Sequence, residues 1–228
     1  MKLSISTTKR QTLLGLSYLL ISMFVLPVVL VLCNALLKNP LSETAINLVY
    51  FGLNFAVVIG IFHGFLWESL KAFWRAPWKS LRSALIGLAL YFGATFVIGF
   101  AITYIDPDFV NVNDDNIMGL FDEYAALMTL TAVILVPITE EMLYRGVLFQ
   151  SLQRRNRAIA YAVSVLVFAS IHVIGYIGMY DLQTLALCFM QYLPAGICLA
   201  WAYEKSDNII APILMHITIN QIGVSASR

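Results

Sequence analysis

The chain has 228 residues, 60% of them hydrophobic and 12% charged, with a formal net charge of +1 and a mean hydropathy of +0.82. That is far more apolar material than one water-soluble core of this length requires, so the composition excludes an ordinary soluble domain and indicates an all-α, polytopic membrane protein. No basic run is long enough for a nucleic-acid partner, and three cysteines in apolar stretches (Cys33, Cys188, Cys198) argue against a disulfide framework and read as small buried hydrophobes.

An uncharged run over residues 11–37, preceded by Lys2, Lys9 and Arg10, is long enough at ~1.5 Å per residue to cross a ~30 Å hydrocarbon core. It exceeds a signal-peptide core and lacks a small-x-small cleavage pattern, so it is expected to be a retained first span. A second apolar run covers residues 45–62. In residues 67–79 tryptophans interleave with Lys and Arg, which suits the headgroup layer and predicts an interfacial helix or loop. His63 stands at that boundary with no charged partner and reads as a bystander.

A third span is expected over residues 85–104. Residues 106–123 then carry six acids and no Lys or Arg, with Asn, Pro and Gly among them. They read as an irregular, solvated external loop whose spacing does not fit an EF-hand. Residues 124–153 form a long fourth helix closed by Arg154, Arg155 and Arg157, followed by spans at 158–174, 182–203 and 209–224. Basic residues mark alternate connections, giving about seven spans with the amino terminus inside and the carboxyl terminus outside; an eighth would have to lie in the tryptophan-rich stretch. The chain is expected to be a single membrane-embedded domain over 1–228, with its chemistry concentrated in 124–224.

Within the fourth helix lies Pro137-Ile138-Thr139-Glu140-Glu141-Met142-Leu143-Tyr144-Arg145. A charged side chain at the centre of a spanning helix costs about 2.5–3.5 kcal/mol, so two acids and a base there call for compensation and a purpose. Residues four apart share a helix face, so Glu141 and Arg145 can pair, whereas Glu140 points a quarter-turn away without a partner. A carboxyl beside another carboxylate in low dielectric holds a proton more readily, which suits a general base. Two later helices carry His172, in Phe168-Ala169-Ser170-Ile171-His172, and His216 with Asn220 four residues on. Polar stripes turn inward in a bundle, so Glu140, Glu141, Arg145, His172, His216 and Asn220 are expected to converge on one wet pocket. Ser170 lacks a nucleophile-elbow context, and Cys188 and Cys198 have no adjacent base. The chemistries left are an activated water, with or without a metal, and proton or ion transport through paired carboxylates.

In that order across three late helices, Glu140-Glu141-x-x-x-Arg145, Phe168-x-x-x-His172 and His216-x-x-x-Asn220 resemble the motifs of the CAAX-protease and bacteriocin-processing family (CPBP, or Abi). Its relatives include the Ras-converting CAAX prenyl endopeptidase and lysostaphin-resistance-protein-A-like proteins. The resemblance covers about the last hundred residues; each motif is short, the ordered set is specific, and the amino-terminal spans match only in being hydrophobic.

The resemblance implies an intramembrane endopeptidase in which Glu140 and His172 activate a water while His216 and Asn220 hold the oxyanion. Glu141 and Arg145 would be structural or peptide-positioning. Members have been called metalloproteases, and Glu140, His172 and His216 could hold zinc. The absence of H-E-x-x-H and the unusual Asn favour a glutamate mechanism without a cofactor. The expected substrate is a peptide or the tail of a membrane-associated protein, of CAAX or bacteriocin-leader type, met in the lipid bilayer of a bacterial-type plasma membrane. Two rivals stand beside this: a non-enzymatic scaffold or bacteriocin self-immunity protein, and a small proton-coupled transporter.

Overall fold

The computed structural model describes residues 3–226, so Lys2 of the first basic group lies outside the described residues. Among the described residues there is no strand, and the chain runs through eight continuous helices. They are α1 (Lys9–Ala35), α2 (Glu43–Arg75), α3 (Pro77–Ile105), α4 (Val112–Gly119), α5 (Ala125–Gln153), α6 (Arg157–Ile174), α7 (Leu182–Ser206) and α8 (Ile210–Ala226). Six of these are long and apolar enough to cross a membrane; α8, with 17 residues, is a shorter apolar helix, and α4 is a single short segment.

Helix starts follow their caps. The Thr8 hydroxyl accepts from the Gln11 N–H and the Gln11 side chain reciprocates, while Ser42, Asn156 and Asp181 cap α2, α6 and α7. The Thr184 hydroxyl and N–H hold the Asp181 carboxyl below its ordinary range.

Three expectations are corrected. The stretch around Trp67–Trp78 is not a separate interfacial element. Helix α2 continues to Arg75, the chain breaks at Ala76, and Pro77 opens α3, the position where a missing N–H costs least. Residues 106–123 are not wholly irregular. Asn111 accepts the N–H groups of Asn113 and Asp114, and Asp114 and Asp115 sit in the first turn, where a helix N-terminus favours negative charge; together they nucleate α4. Cys33 is exposed rather than buried, because α1 lies on the outside of the bundle and its outward face has no protein to pack against.

Burial separates two classes of helix. Only 11–17% of the most apolar windows of α1–α3 is buried, against 44% for α5 and 56% for α7. Helix α7 packs along α3 and α6, and α8 along α3, α5 and α7. The main core interleaves Val58, Phe62, Met142, Phe149, Leu199 and Met215. Close approach depends on small residues, as expected where apolar lipid gives no hydrophobic reward for helix association. A Cβ on Gly15 would sit 2.7 Å from Phe62 and Val147, and one on Gly196 would sit 3.3 Å from the Cα of Val165.

Two prolines shape their helices in the same way. Wide, i→i+5 turns at Ile21–Val25 and Thr131–Leu135 precede Pro27 and Pro137, relieving the clash between a proline ring and the preceding turn. In that register Leu26 N–H goes to Ile21 and Val136 N–H to Thr131. The next carbonyls, of Ser22 and Ala132, would be served by residues 27 and 137, which are prolines without an N–H. Neighbouring helices supply the donors: the Tyr50 hydroxyl bonds Ser22 O at 3.1 Å and the Asn220 amide bonds Ala132 O at 2.8 Å.

At the end of the bundle opposite α4, polar side chains tie the helices. Buried Glu204 accepts Arg157 Nε and Nη2 at 2.7 and 2.8 Å, the Tyr161 hydroxyl at 2.9 Å and Gln153 Nε2 at 3.1 Å. The segment before α1 is strapped across this end. Gln150 accepts the Thr7 N–H and hydroxyl at 2.9 Å each and donates to Ile5 O and the Tyr203 hydroxyl at 2.9 and 2.8 Å.

Gly196→Val should push α6 and α7 apart, because the backbone of Val165 cannot give way. We expect a loss of about 1–3 kcal/mol, read as a lower unfolding midpoint in detergent. Gly93→Ala, where nothing lies within 4 Å of the added carbon, should leave the midpoint unchanged or raise it.

Candidate active site

Helix α5 carries its charges where its geometry changes. The regular turns end at Glu141, and Met142–Phe149 again follow the wide i→i+5 pattern, which often marks functional positions in helices. Glu141 and Arg145 are fully buried and pair at 2.7 Å, so the side-chain reach of arginine compensates for the widened turn. Arg145 Nη2 also donates to Gly196 O at 3.2 Å, and its guanidinium lies 4.5 Å from the centre of the Phe168 ring. One buried cation thereby touches α6 and α7 as well as its own helix.

The same Glu141 oxygen that receives Arg145 lies 2.8 Å from His216 Nδ1. Glu141 is therefore the acceptor and Nδ1 the donor, which leaves Nε2 as the free ring nitrogen. It faces Glu140, whose Oε2 is 3.9 Å away, too long for a direct hydrogen bond and suited to one mediated by water or substrate. Glu140 Oε2 is buried and has no hydrogen-bond partner among the described residues, nor do Glu141 Oε2 and Arg145 Nε. Such groups normally meet a water or a ligand. Glu140 stands apart from Glu141 in being reachable: its side chain is 19% exposed, that of Glu141 0%.

His172 occupies the next layer. Its Nδ1 donates to Phe168 O at 2.7 Å, so here too Nε2 is the free nitrogen. Its ring centre is 4.8 Å from that of Phe168, which in turn is 6.0 Å from His216. Asn220, one turn beyond His216, spends one of its two N–H bonds on Ala132 O and keeps the other. Of the six residues expected to converge, Glu140, Glu141, Arg145 and His216 are in immediate contact. His172 joins them through Phe168, and Asn220 flanks them on α8.

The contacts that charge spacing does not reveal are aromatic and backbone groups: the Phe168 ring packed against both histidines, the Gly196 carbonyl on Arg145, and Tyr192 stacked on His172. The sequence signal for Tyr192 is faint, a Gln191-Tyr192 pair inside an otherwise apolar stretch of α7. His63 is exposed and bonds the Gly60 carbonyl of its own helix.

Among the described residues, no three His, Cys, Asp or Glu side chains come together as a metal-ligating group. Glu140, His172 and His216 form no such group among the described residues, and the Glu141 contact at Nδ1 leaves Nε2 of His216 open.

Removing Arg145 alone would strand a buried carboxylate. Arg145→Met is expected to lower stability by about 3–5 kcal/mol, whereas the paired change Glu141→Gln with Arg145→Met should recover much of it. Unfolding midpoints of the purified variants in detergent would check this.

Residues 122–222, which contain all six polar residues, match the family described as type II CAAX prenyl endopeptidase Rce1-like, a family of proteases. Over 95 residues the chain is 33% identical to UPF0177 protein YxdF of Lactococcus lactis subsp. lactis (strain IL1403). That match covers 42% of this chain and 47% of the relative, so the chain spans about half the length of the curated protein it matches. No solved structure matches the chain. The six long apolar helices make it a multi-pass membrane protein. The stretch similar to the type II CAAX prenyl endopeptidase Rce1-like family, residues 122–222, is thus the one that carries the whole polar cluster.

Proposed function

We propose that the chain is an intramembrane endopeptidase that hydrolyses a peptide bond in a membrane-associated peptide or protein tail, using a water activated by Glu140. The observation that carries this reading is the Glu140–His216 pair: a reachable carboxylate with an unpaired buried oxygen, 3.9 Å from a free imidazole nitrogen, inside a wall of fully buried charge.

In this reading Glu140 takes a proton from water, aided by His172 Nε2, and the hydroxide oxygen bonds to the scissile carbonyl carbon. The carbonyl oxygen becomes an oxyanion facing His216 and the uncommitted N–H of Asn220. Donation from His216 Nε2 requires a proton on that nitrogen, and the resulting charge is compensated by the Glu141 carboxylate and by the oxyanion itself while Glu140 holds the proton taken from water. Collapse of the intermediate breaks the C–N bond, and the proton held by Glu140 passes to the leaving amine. Glu141 and Arg145 do not touch the reacting atoms; they fix which nitrogen of His216 faces the substrate.

Purified protein should cleave a reporter peptide in detergent or nanodiscs. Glu140→Gln and His172→Ala should abolish turnover with unfolding midpoints preserved, and Asn220→Ala should lower kcat by about 10²–10³. A strong chelator should leave the rate unchanged. Full turnover in both Glu140→Gln and His172→Ala would overturn the proposal, and loss of activity on chelation that zinc restores would replace the metal-free route. Mapping the cut in a peptide library, with and without a prenylated carboxyl-terminal cysteine, identifies the substrate class.

A further inference from the structure

His172 is held by more than its own helix. The Tyr192 ring lies nearly parallel to the imidazole, with centres 4.1 Å apart and planes 22° apart, while Phe168 packs at 4.8 Å and 54°. The tyrosine is fixed in turn. Its hydroxyl donates to Asp114 Oδ1 at 2.6 Å, accepts from Asn113 Nδ2 at 2.9 Å and lies 3.3 Å from Asn111 Oδ1. Asn111, the cap of α4, reaches the same part of α7 by donating from Nδ2 to Gln191 Oε1 at 2.8 Å. The first turn of α4, in the acidic connection, is thus clasped to residues 191 and 192, some 80 positions along the chain.

We propose that Tyr192 and Asp114 are positioning residues for His172: the stacked phenol sets the plane of the imidazole, and the Asp114 carboxylate anchors the phenol. The proposal rests on His172 acting in hydrolysis as described above. Hydrogen bonding at Nδ1 fixes one point of the ring but leaves it free to tilt about that bond. A parallel ring at contact distance removes the tilt and aims Nε2. Its own orientation is held by a hydrogen bond to a charged acceptor, the stronger kind. Small misplacements of a reacting group can cost about 10²-fold in rate, so a strut of this kind matters without touching substrate. It also couples the acidic connection to the site, since α4 cannot leave α7 without releasing Tyr192.

Three substitutions separate the parts. Tyr192→Phe keeps the stacked ring and loses the anchor, Tyr192→Leu loses both, and Asp114→Asn keeps an acceptor but removes its charge. On the reporter peptide, Tyr192→Leu should lower kcat by about 10²-fold with KM little changed. Tyr192→Phe and Asp114→Asn should fall between it and wild type.

The contact can be read independently of cleavage. The chain has three histidines, so histidine-labelled protein gives a simple ring spectrum, assigned with His63→Gln and His172→Gln. The ring signals of His172 should lie upfield in wild type and in Tyr192→Phe, and move downfield in Tyr192→Leu while those of His216 stay in place. Unmoved His172 signals in Tyr192→Leu would overturn the strut itself. Moved signals with unchanged kcat would overturn its positioning role. A wild type with upfield His172 signals that cleaves no reporter would overturn the endopeptidase reading and, with it, any catalytic meaning of the contact.

Discussion

The fold turns on a cation that cannot be left alone. Arg145 is fully buried, and its guanidinium is neutralised by Glu141, bonded to the Gly196 carbonyl and laid over the Phe168 ring. Because Glu141 also receives His216, one compact electrostatic unit fixes the mutual rotation of α5, α6, α7 and α8. Isolated charges at this depth would be prohibitively costly, so each of these helices has few alternative rotations that leave the group satisfied. The ordered site around Glu140 follows from that restriction: its neighbours are held by charge, and it is left with an oxygen free for chemistry.

The helices further out obey a looser rule. Their apolar side chains face lipid, which rewards burial no more than a protein interior does, and they contribute through small contact points and shared polar groups. Gly15 lets α1 approach α2 and α5, Tyr50 repairs the backbone of α1, and Asn208 Nδ2 holds Ser69 O across to α2 at 2.8 Å. Asn220 does for α5 what Tyr50 does for α1, so a residue of the late polar motifs has structural work at Ala132 as well as a free donor for the site. Replacing it removes the Ala132 bond and the second N–H donor together.

Much of this is legible in the sequence and some is not, for identifiable reasons. Spans follow from long apolar runs, and the Glu141–Arg145 pair follows from a spacing of four along one helix. The partner of His216 does not, because contacts between helices depend on rotations that a single sequence leaves open. The wide turns beside Pro27 and Pro137 are hidden for a similar reason: a proline announces a disturbance, but the choice among kink, break and widened turn depends on which neighbour can cap the freed carbonyl. Residues 106–123 look structureless because Asp and Asn are poor helix formers in the interior of a helix. At the first turn they are good ones, and position decides. The aromatic brace on His172 left only a faint trace because stacked rings need no charge pattern.

The strap before α1 has a bearing on how the molecule is assembled. Thr7 finds its acceptor on Gln150, 143 residues later in the chain. At a synthesis rate of about 5–20 residues per second, the two are separated by roughly 7–30 s on the ribosome. Through that interval the strap must be solvated by water and headgroups, and α1 can enter the bilayer before its docking place exists. Docking of the strap is therefore a late event in biogenesis, and it joins the segment before α1 to α5, the helix that carries the acids.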